Sequence, residues 1–562
     1  MNIEKKIQNF VIKNFVILSI LFLGLMLRII YILHLYGSVF YSEPISDAKI
    51  YYIWAHQFIK GKIIYSYAFF LSPFYAYFLG LFILFFPNSL VIPRILNIIL
   101  DLSVCLLIFL IGKKVYSRKV GLLASFIYAL YKPAIFYTAF ILPVTLTTFL
   151  ITLFVYLIII VEKKRLSHYF LLGIISGLMV LSFSKILIFI PFVIIYFFIE
   201  RVRNKKSGIV VKKSLLLVTF FLLGLCIIIS LATIHNFIAE QSVEKSSKES
   251  VFSESKYSLV LINSSTGYDF YIGNNERADG TFKIVDNPVY TVDPRGKQIT
   301  ENILEQKLDS SELRSFWQLK SSLWITEHPI KFVFLLMKKV LIFFHYREVP
   351  YIYSYVIRHD APLLWIPLFG FVVVGPLAIL GILLTKKDVK ENWLFSFLII
   401  SVLLIATIFY VCDWLRLFVV PILLLYASYT FFDFLRIYKE REYKKLIVRL
   451  TLLLLIFIVT IFHTFWFPYN INRDKSTYYY GLGLIYEKER NFSLAESHYQ
   501  MALTFENDND IIVYFLANLY KKEGKIDLAI RYIKFAMQLN PKLLLYKQEL
   551  LDLLIKAKET KK

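Results

Sequence analysis

Apolar runs of roughly 20 residues recur along this chain, and a hydrocarbon core about 30 Å thick demands that length of a spanning helix. They lie at 13–36, 91–112, 119–136, 143–161, 168–182, 184–200 and 214–234. After a long polar interval they resume at 363–384, 393–411, 415–436 and 445–467. Hydrophobic residues make up 58% of the 562 and charged residues only 18%, with a mean hydropathy of +0.63, which describes a polytopic membrane protein. The net charge of +23 sits in short Lys/Arg clusters between apolar runs, as the positive-inside rule places them. Neither a nucleic-acid recognition module nor an extended basic stripe is present. Cys105, Cys226 and Cys412 fall in or beside apolar segments and form no disulfide framework or metal-type spacing. The first run has a basic front (Lys5, Lys6, Lys13) and lacks a small-residue cleavage signature, so it predicts a retained first span.

Two further runs, 69–86 and 331–345, are ambiguous: the first is short and opens on Ser72-Pro73, and the second carries Lys338 and Lys339 in its middle. If both lie on the membrane surface, the clusters at Lys113/Lys114/Arg118/Lys119, Lys163/Lys164/Arg165, 201–213, Lys386/Lys387 and 436–445 share the side of the basic N-terminus. Counting both as spans puts the three middle clusters outside, against the insertion bias. The sequence thus predicts about eleven spans and two interfacial helices. On that topology Asp47, the loop 131–143, the interval 235–330, Glu348, Asp413 and the last 95 residues all face the extracytoplasmic side.

Beyond the last span a period of 34 residues emerges. YYYGLGLIYEKERNFSLAESHYQMAL recurs as VYFLANLYKKEGKIDLAIRYIKFAMQLNP, pairing Tyr486 with Tyr520, Ala495 with Ala529 and Ala502 with Ala536. Small residues at close helix approaches with aromatics between them are similar to tetratricopeptide repeats, and Pro541 stands where such a repeat ends. Two repeats and a capping helix, LLLYKQELLDLLIKAKE, make a small domain over 474–562. It serves either as a support for the membrane domain 1–467 or as a docking site for a protein partner.

The stretch SEPISDAKIYYIWAHQFIKG, residues 42–61, leaves the first span with Glu43 and Asp47 at once. Asp47 and Tyr51, four apart, share a helix face, while Ile50, Ile53, Trp54 and Phe58 suit the interface. A carboxylate at such a boundary is a candidate general base or metal ligand, or simply a charge favoured at a helix N-terminus. Glu43 is the weaker partner because Pro44 turns the chain between them. Arg28 inside the first span, Lys185 in the break between two runs, and Arg416 after Cys412-Asp413-Trp414 suit an anionic lipid phosphate, although snorkelling also accounts for such cations.

The order of DAKIYYIWAHQFIKG, SPFYAYFLG, IPRILNIILDL, a basic turn and ALYKPAIFYTAFILP resembles the GT-C glycosyltransferases related to protein O-mannosyltransferases and the lipid A aminoarabinose transferase (glycosyltransferase family 39-like). TIHNFIAEQ, STGYDFYIGNNERADGTF, TEHPIKFVFLLMKK, YREVP and RLFVVPILLLYA look like a bacterial branch with C-terminal tetratricopeptide repeats. The resemblance implies an all-α GT-C fold in the bacterial cytoplasmic membrane. It also implies an inverting transferase that takes a sugar from a polyprenyl-phosphate donor to a glycan, lipid or protein acceptor on the extracytoplasmic face. Asp47 matches the first-loop acid implicated in acceptor activation or metal binding, which makes a divalent cation the candidate cofactor. Asn274 and Asn275 match the GNN segment, which is first of all a turn.

Departures are equally specific. The second outer loop, FYTAFILPV, lacks the second acid; SFSK offers Lys185 where relatives have Arg-Pro; His235 replaces the Arg of an RN pair; and Trp414 stands where an Arg is common. The candidate site is thus Asp47 and Glu43 for catalysis, with Arg28, Tyr51, Lys185, His235, Glu348 and Arg416 for substrate binding. Two other readings remain: a membrane-anchored scaffold with a decayed transferase core, and a flippase or transporter of lipid-linked sugars. The flippase predicts more polar residues at mid-bilayer than this chain shows. The topology is tested by a cysteine in place of Ser117, which is expected to resist a membrane-impermeant thiol reagent applied from outside. Strong labelling would overturn it.

Overall fold

The computed structural model describes residues 3–65, 67–87, 89–160, 165–204, 209–241, 259–287, 293–349, 351, 363, 368–385, 391–466 and 471–560. Among them every regular element is a helix, with two isolated bridges, Tyr131 to Phe369 and Thr281 to Val411. Among the described residues five helices are long and apolar enough to cross a membrane: Asn14–Leu35, Val91–Val115, Ser214–Gln241, Glu391–Ile408 and Val420–Lys439. Shorter apolar helices cover Phe74–Ile83, Val144–Ile160, Leu166–Ser182 and Phe371–Leu384. The chain is a multi-pass membrane protein; the count of eleven spans also draws on these shorter helices and stays a proposal. The basic clusters near 163, 201–213 and 386–387 lie wholly or partly outside the described residues.

Several boundaries differ from the sequence pattern for local reasons. The run 119–136 is not one helix: Arg118–Ala129 stops, and Lys132–Thr138 restarts with Pro133 in its first turn, a position where proline's missing N–H costs nothing. The first piece alone rises only about 18 Å, so a crossing in this run takes both pieces. The helix that ends the 214–234 run continues to Gln241, so the polar interval begins later than 235. Of the two ambiguous runs, Phe74–Ile83 has ten residues and Pro329–Phe343 has fifteen. The latter turns Ile330, Val333, Phe334 and Met337 outward, while Lys339 is fully buried and donates to Asn274 Oδ1 (2.9 Å) and the Thr407 carbonyl (3.0 Å).

The membrane core closes through small residues and paired charges. A Cβ at Gly173 would collide with the Phe221 carbonyl, so only glycine lets Leu166–Ser182 and Ile209–Gln241 approach so closely. Arg28 is buried against Asp101, Nε at 2.7 Å and Nη2 at 2.6 Å, and it also donates to the Ala129 carbonyl at 2.7 Å. Tyr128 completes the knot by donating to Asp101 Oδ1 at 2.7 Å. Arg28 thus joins three helices at a distance from the cavity described below.

The last five helices run Ile471–Lys488, Phe492–Phe505, Asp510–Lys522, Ile526–Leu539 and Leu544–Thr560, packed as successive pairs. Ala495, Ala502, Ala529 and Ala536, the residues that recur at 34, are fully buried between them. This unit is tied to the polar interval rather than hanging free. Arg473 donates to Asp279 (2.7 Å), Arg277 pairs with Asp510 (2.6 Å), Asn540 donates to Asp286 (3.2 Å), and Lys488 pairs with Glu43.

Removing one partner of a buried ion pair strands the other. Asp101→Ala is expected to cost about 3–5 kcal/mol of stability, read as a lower melting temperature in detergent. Arg28→Leu/Asp101→Leu is expected to recover most of that loss; equal stability of Asp101→Ala and the parent would contradict the structural role of Arg28.

Candidate active site

The site begins with a break in the chain. Ser46 adopts a left-handed backbone, φ +49°, at the start of the helix Ser46–Ile59. The next side chain, Asp47, is buried; Tyr351 donates to its Oδ2 at 3.1 Å, while Oδ1 has no hydrogen-bond partner. Tyr51, one turn on, is buried beside it with its ring edge against Tyr75 (5.3 Å).

Opposite lies Lys185, on the 3-10 turn Ser184–Ile188 that separates two apolar helices. Ser72 fixes this turn by accepting the Ser184 N–H at 3.0 Å. The segment around Ser72 is held in turn by Ser264 and Ser265, whose N–H groups donate to the Phe69 and Phe70 carbonyls at 2.9 and 3.3 Å. Lys185 Nζ reaches Asp269 Oδ2 at 2.8 Å, and Asp269 also accepts from Ser265 (2.8 Å) and Tyr410 (3.1 Å).

Asp47, Tyr51, Lys185, Asp269, Tyr351 and Tyr410 thus line one cavity, together with the apolar side chains of Phe70, Leu142, Pro143, Phe183 and Phe418. The cavity joins a cluster of polar groups to a larger apolar lining. Burial, opposed by the Tyr351 hydrogen bond, pushes the Asp47 carboxyl up from 3.8 to about 7, with nearby Asp269 adding to the rise. Such a group gains and loses its proton near neutrality, as a general base requires.

The structure brings together only part of the expected set. Asp47, Tyr51 and Lys185 share the cavity. Glu43 points to Lys488. His235 accepts the Tyr65 N–H at 2.9 Å and stacks on Phe69 at 3.8 Å, which makes it a support for the segment leading to Ser72. Arg416 is fully buried; it donates to the His345 and Arg347 carbonyls (2.7 and 2.5 Å) and pairs with Glu348 at 3.0 Å. That knot holds the strand of chain carrying Tyr351. Burial pushes the Glu348 carboxyl up, against the pull of Arg416. Asn274 caps the helix Thr266–Gly273 and accepts from Lys339, so the GNN segment is a structural turn.

Asp269, Tyr351 and Tyr410 are site residues that the sequence pattern did not single out. A lone acid inside the aromatic run Tyr268-Asp269-Phe270-Tyr271 was the available signal. Trp414, noted as a replacement for Arg, lines the same cavity, edge-on to Phe183 at 5.1 Å. In the loop that lacks a second acid, Tyr137 instead donates to Asp413 at 2.6 Å.

Residues 71–228 match the family of dolichyl-phosphate-mannose-protein mannosyltransferases. The matched segment supplies half of the cavity lining, from Leu71 and Ser72 through Leu142–Thr147 to Ser182–Lys185. The GT-C resemblance has this match behind it. No curated protein matches the chain. Among solved structures, the archaeal oligosaccharyltransferase AglB from Archaeoglobus fulgidus, in complex with an inhibitory peptide and a dolichol-phosphate, is similar at TM-score 0.41 and 13% identity over 84% of this chain and 58% of that one. The Archaeoglobus fulgidus oligosaccharyltransferase tethered with an acceptor peptide containing the NVT sequon gives TM-score 0.40 and 14% identity, over 86% and 59%. The chain spans less than two thirds of the length of these structures.

Among the described residues no group of three His, Cys, Asp or Glu side chains comes together to hold a metal ion. The cavity offers the unpartnered Oδ1 of Asp47, and its second carboxylate, Asp269, is engaged by Lys185.

The raised Asp47 pKa has a sign on each side of the ledger. From 3.8 to about 7 the folded chain holds a proton that the unfolded chain has released, so this contribution to stability is lost as pH rises through that window. Any activity that needs Asp47 as a base is expected to rise with pH through about 7. Tyr351→Phe removes the hydrogen bond that lowers the pKa, so the rising limb of the pH–rate profile is expected to move to higher pH. An unmoved limb would separate Tyr351 from the titration.

Proposed function

We propose that this chain is a membrane glycosyltransferase that passes a sugar from a polyprenyl-phosphate donor to an acceptor hydroxyl at the extracytoplasmic face. One observation carries the reading: a buried carboxylate with a free oxygen, Asp47, lines the same partly apolar cavity as Lys185, and half of that lining comes from the segment that matches the mannosyltransferase family. The apolar lining receives the first isoprenoid units. Lys185 receives the phosphate, exchanging part of its bond to Asp269 for a more mobile anion. Tyr410 and Ser265 donate their hydroxyls to Asp269 and so hold that carboxylate when the phosphate takes up Lys185.

The chemistry is an inverting displacement. The acceptor oxygen bonds to the sugar's anomeric carbon while its proton passes to the Asp47 carboxylate. The bond from that carbon to the phosphate oxygen breaks, its electron pair goes to the phosphate, and polyprenyl phosphate leaves. Lys185 stabilises the charge that grows on the leaving oxygen. Tyr351 orients Asp47. A divalent cation would be held by the Asp47 carboxylate, in place of that residue's role as base, and would offset phosphate charge. The C-terminal helices are read as tetratricopeptide repeats on the same outer side, and the host membrane as a bacterial cytoplasmic membrane.

Asp47→Asn preserves size and removes the base, so transfer from a radiolabelled polyprenyl-phosphate sugar is expected to fall by on the order of 10² or more at normal membrane levels. Lys185→Ala is expected both to raise the donor KM and to lower transfer at saturation, because Lys185 holds the phosphate and stabilises its leaving charge. Full transfer by Asp47→Asn would end the base assignment.

A further inference from the structure

The helix Ile471–Lys488, first of the C-terminal five, reaches both ends of the Tyr351–Asp47 hydrogen bond. Along its length it packs on the segment that leads into Asp47. A Cβ at Gly481 would stand 3.2 Å from the Phe40 ring and 3.7 Å from Ile45, Tyr478 lies against Phe40 with ring centroids 5.7 Å apart, and Lys488 pairs with Glu43. Near its start, Arg473 grips the polar interval. Nη1 donates to Asp279 Oδ2 at 2.7 Å and to Thr281 Oγ1 at 2.6 Å, and Nη2 donates to the Phe282 carbonyl.

That grip places the Phe282 ring. It packs on Tyr351 at 4.2 Å and on Tyr410 at 5.2 Å, and the two tyrosine rings lie nearly parallel, 6.3 Å apart. Each tyrosine donates to one carboxylate of the cavity: Tyr351 to Asp47 and Tyr410 to Asp269, both at 3.1 Å. The Tyr410 side has a backbone fastening as well, because the Val411 N–H donates to the Gly280 carbonyl at 2.9 Å. A buried phenylalanine, carried by a carbonyl that the C-terminal unit holds, thus stands behind both hydroxyls.

We propose that Arg473 is a positioning residue for transfer: it sets Phe282, Phe282 sets Tyr351, and Tyr351 holds Asp47, so that the C-terminal unit is a working part of the active site. The inference rests on the transferase reading above and adds what the C-terminal helices do for it. The geometry also gives the direction of the effect. Asp269 has two hydroxyl donors, Ser265 as well as Tyr410, so the Lys185 side of the cavity keeps a support when Phe282 shifts. Asp47 has Tyr351 alone among the described residues, with Oδ1 unpartnered. A displaced Phe282 therefore disturbs the base before it disturbs phosphate binding. The guanidinium fork matters too, since it serves a carboxylate, a hydroxyl and a carbonyl at once, and a lysine ammonium offers no such planar fork.

The test uses the full chain in lipid nanodiscs. One readout is the fluorine resonance of a fluorotyrosine placed at position 351, which reports on the ring's surroundings without any turnover. The other is steady-state transfer from a radiolabelled polyprenyl-phosphate sugar. Arg473→Ala is expected to move the resonance and to lower turnover by at least about tenfold, or about 1.4 kcal/mol, with the donor KM within about twofold of the parent's. Arg473→Lys keeps the charge beside Asp279 and is expected to recover part of the turnover. Arg277→Ala cuts a different tether between the same two parts, the pair with Asp510, and is expected to leave resonance and turnover at the parent's values. In a Tyr351→Phe background the loss caused by Arg473→Ala is expected to disappear for the most part, because the route runs through the Tyr351 hydroxyl.

A resonance that Arg473→Ala leaves unmoved, a loss confined to the donor KM, an equal loss of turnover in Arg277→Ala, or full additivity of Arg473→Ala with Tyr351→Phe would overturn the proposal. Absence of transfer by the parent would strike the transferase reading instead. The fluorine resonance tests the route from Arg473 to Tyr351 in either case.

Discussion

The hydrogen bond from Tyr351 to Asp47 joins residues 304 apart in sequence, and much of the surrounding architecture exists to hold its two ends. A hydrogen bond to an ionised group contributes about 1.5–3 kcal/mol, less than the cost of burying a carboxylate with one oxygen unpartnered. The bond cannot by itself keep Asp47 in place. The break at Ser46, the packing of Tyr51 on Tyr75 and the knot that Arg416 makes with Glu348 and the 345–347 carbonyls do so. The carboxyl therefore stays poised near neutrality instead of relaxing toward solvent.

Charges in this protein divide into two kinds. Arg28 with Asp101, and Arg416 with Glu348, are each engaged by an acidic partner and by backbone carbonyls, and they act as joints between helices and loops. Lys185 has a carboxylate partner too, but it stands at a cavity wall, where a phosphate can share it. Intramembrane cations invite a functional reading by default. Here partner geometry, more than depth, separates the structural ones from the one that faces a ligand space.

The helices themselves were largely legible, because apolar runs and a period of 34 residues are one-dimensional patterns. Pro133 explains why the run 119–136 divides, and it was visible in the sequence; the division was missed because hydropathy alone masks a break. Asp47, Tyr51 and Lys185, which share the cavity, stood out in the sequence because each interrupts or borders an apolar run. Asp269 and Tyr351 were not, since their meaning comes from contacts with residues 84 and 304 positions away. Arg28 and His235 show the converse: their residue types suited a phosphate, yet local pairing with Asp101 and the Tyr65 N–H had already claimed them.

The central claim is that a lipid-linked sugar phosphate sits between Lys185 and Asp47. The most direct measurement is a structure of Asp47→Asn in lipid nanodiscs with a non-hydrolysable polyprenyl-phosphonate sugar. The expected result is the phosphonate within hydrogen-bonding distance of Lys185, the isoprenoid against Phe70, Leu142 and Phe418, and the anomeric carbon turned toward position 47. A phosphonate bound elsewhere, with Lys185 still closed on Asp269 alone, would contradict it.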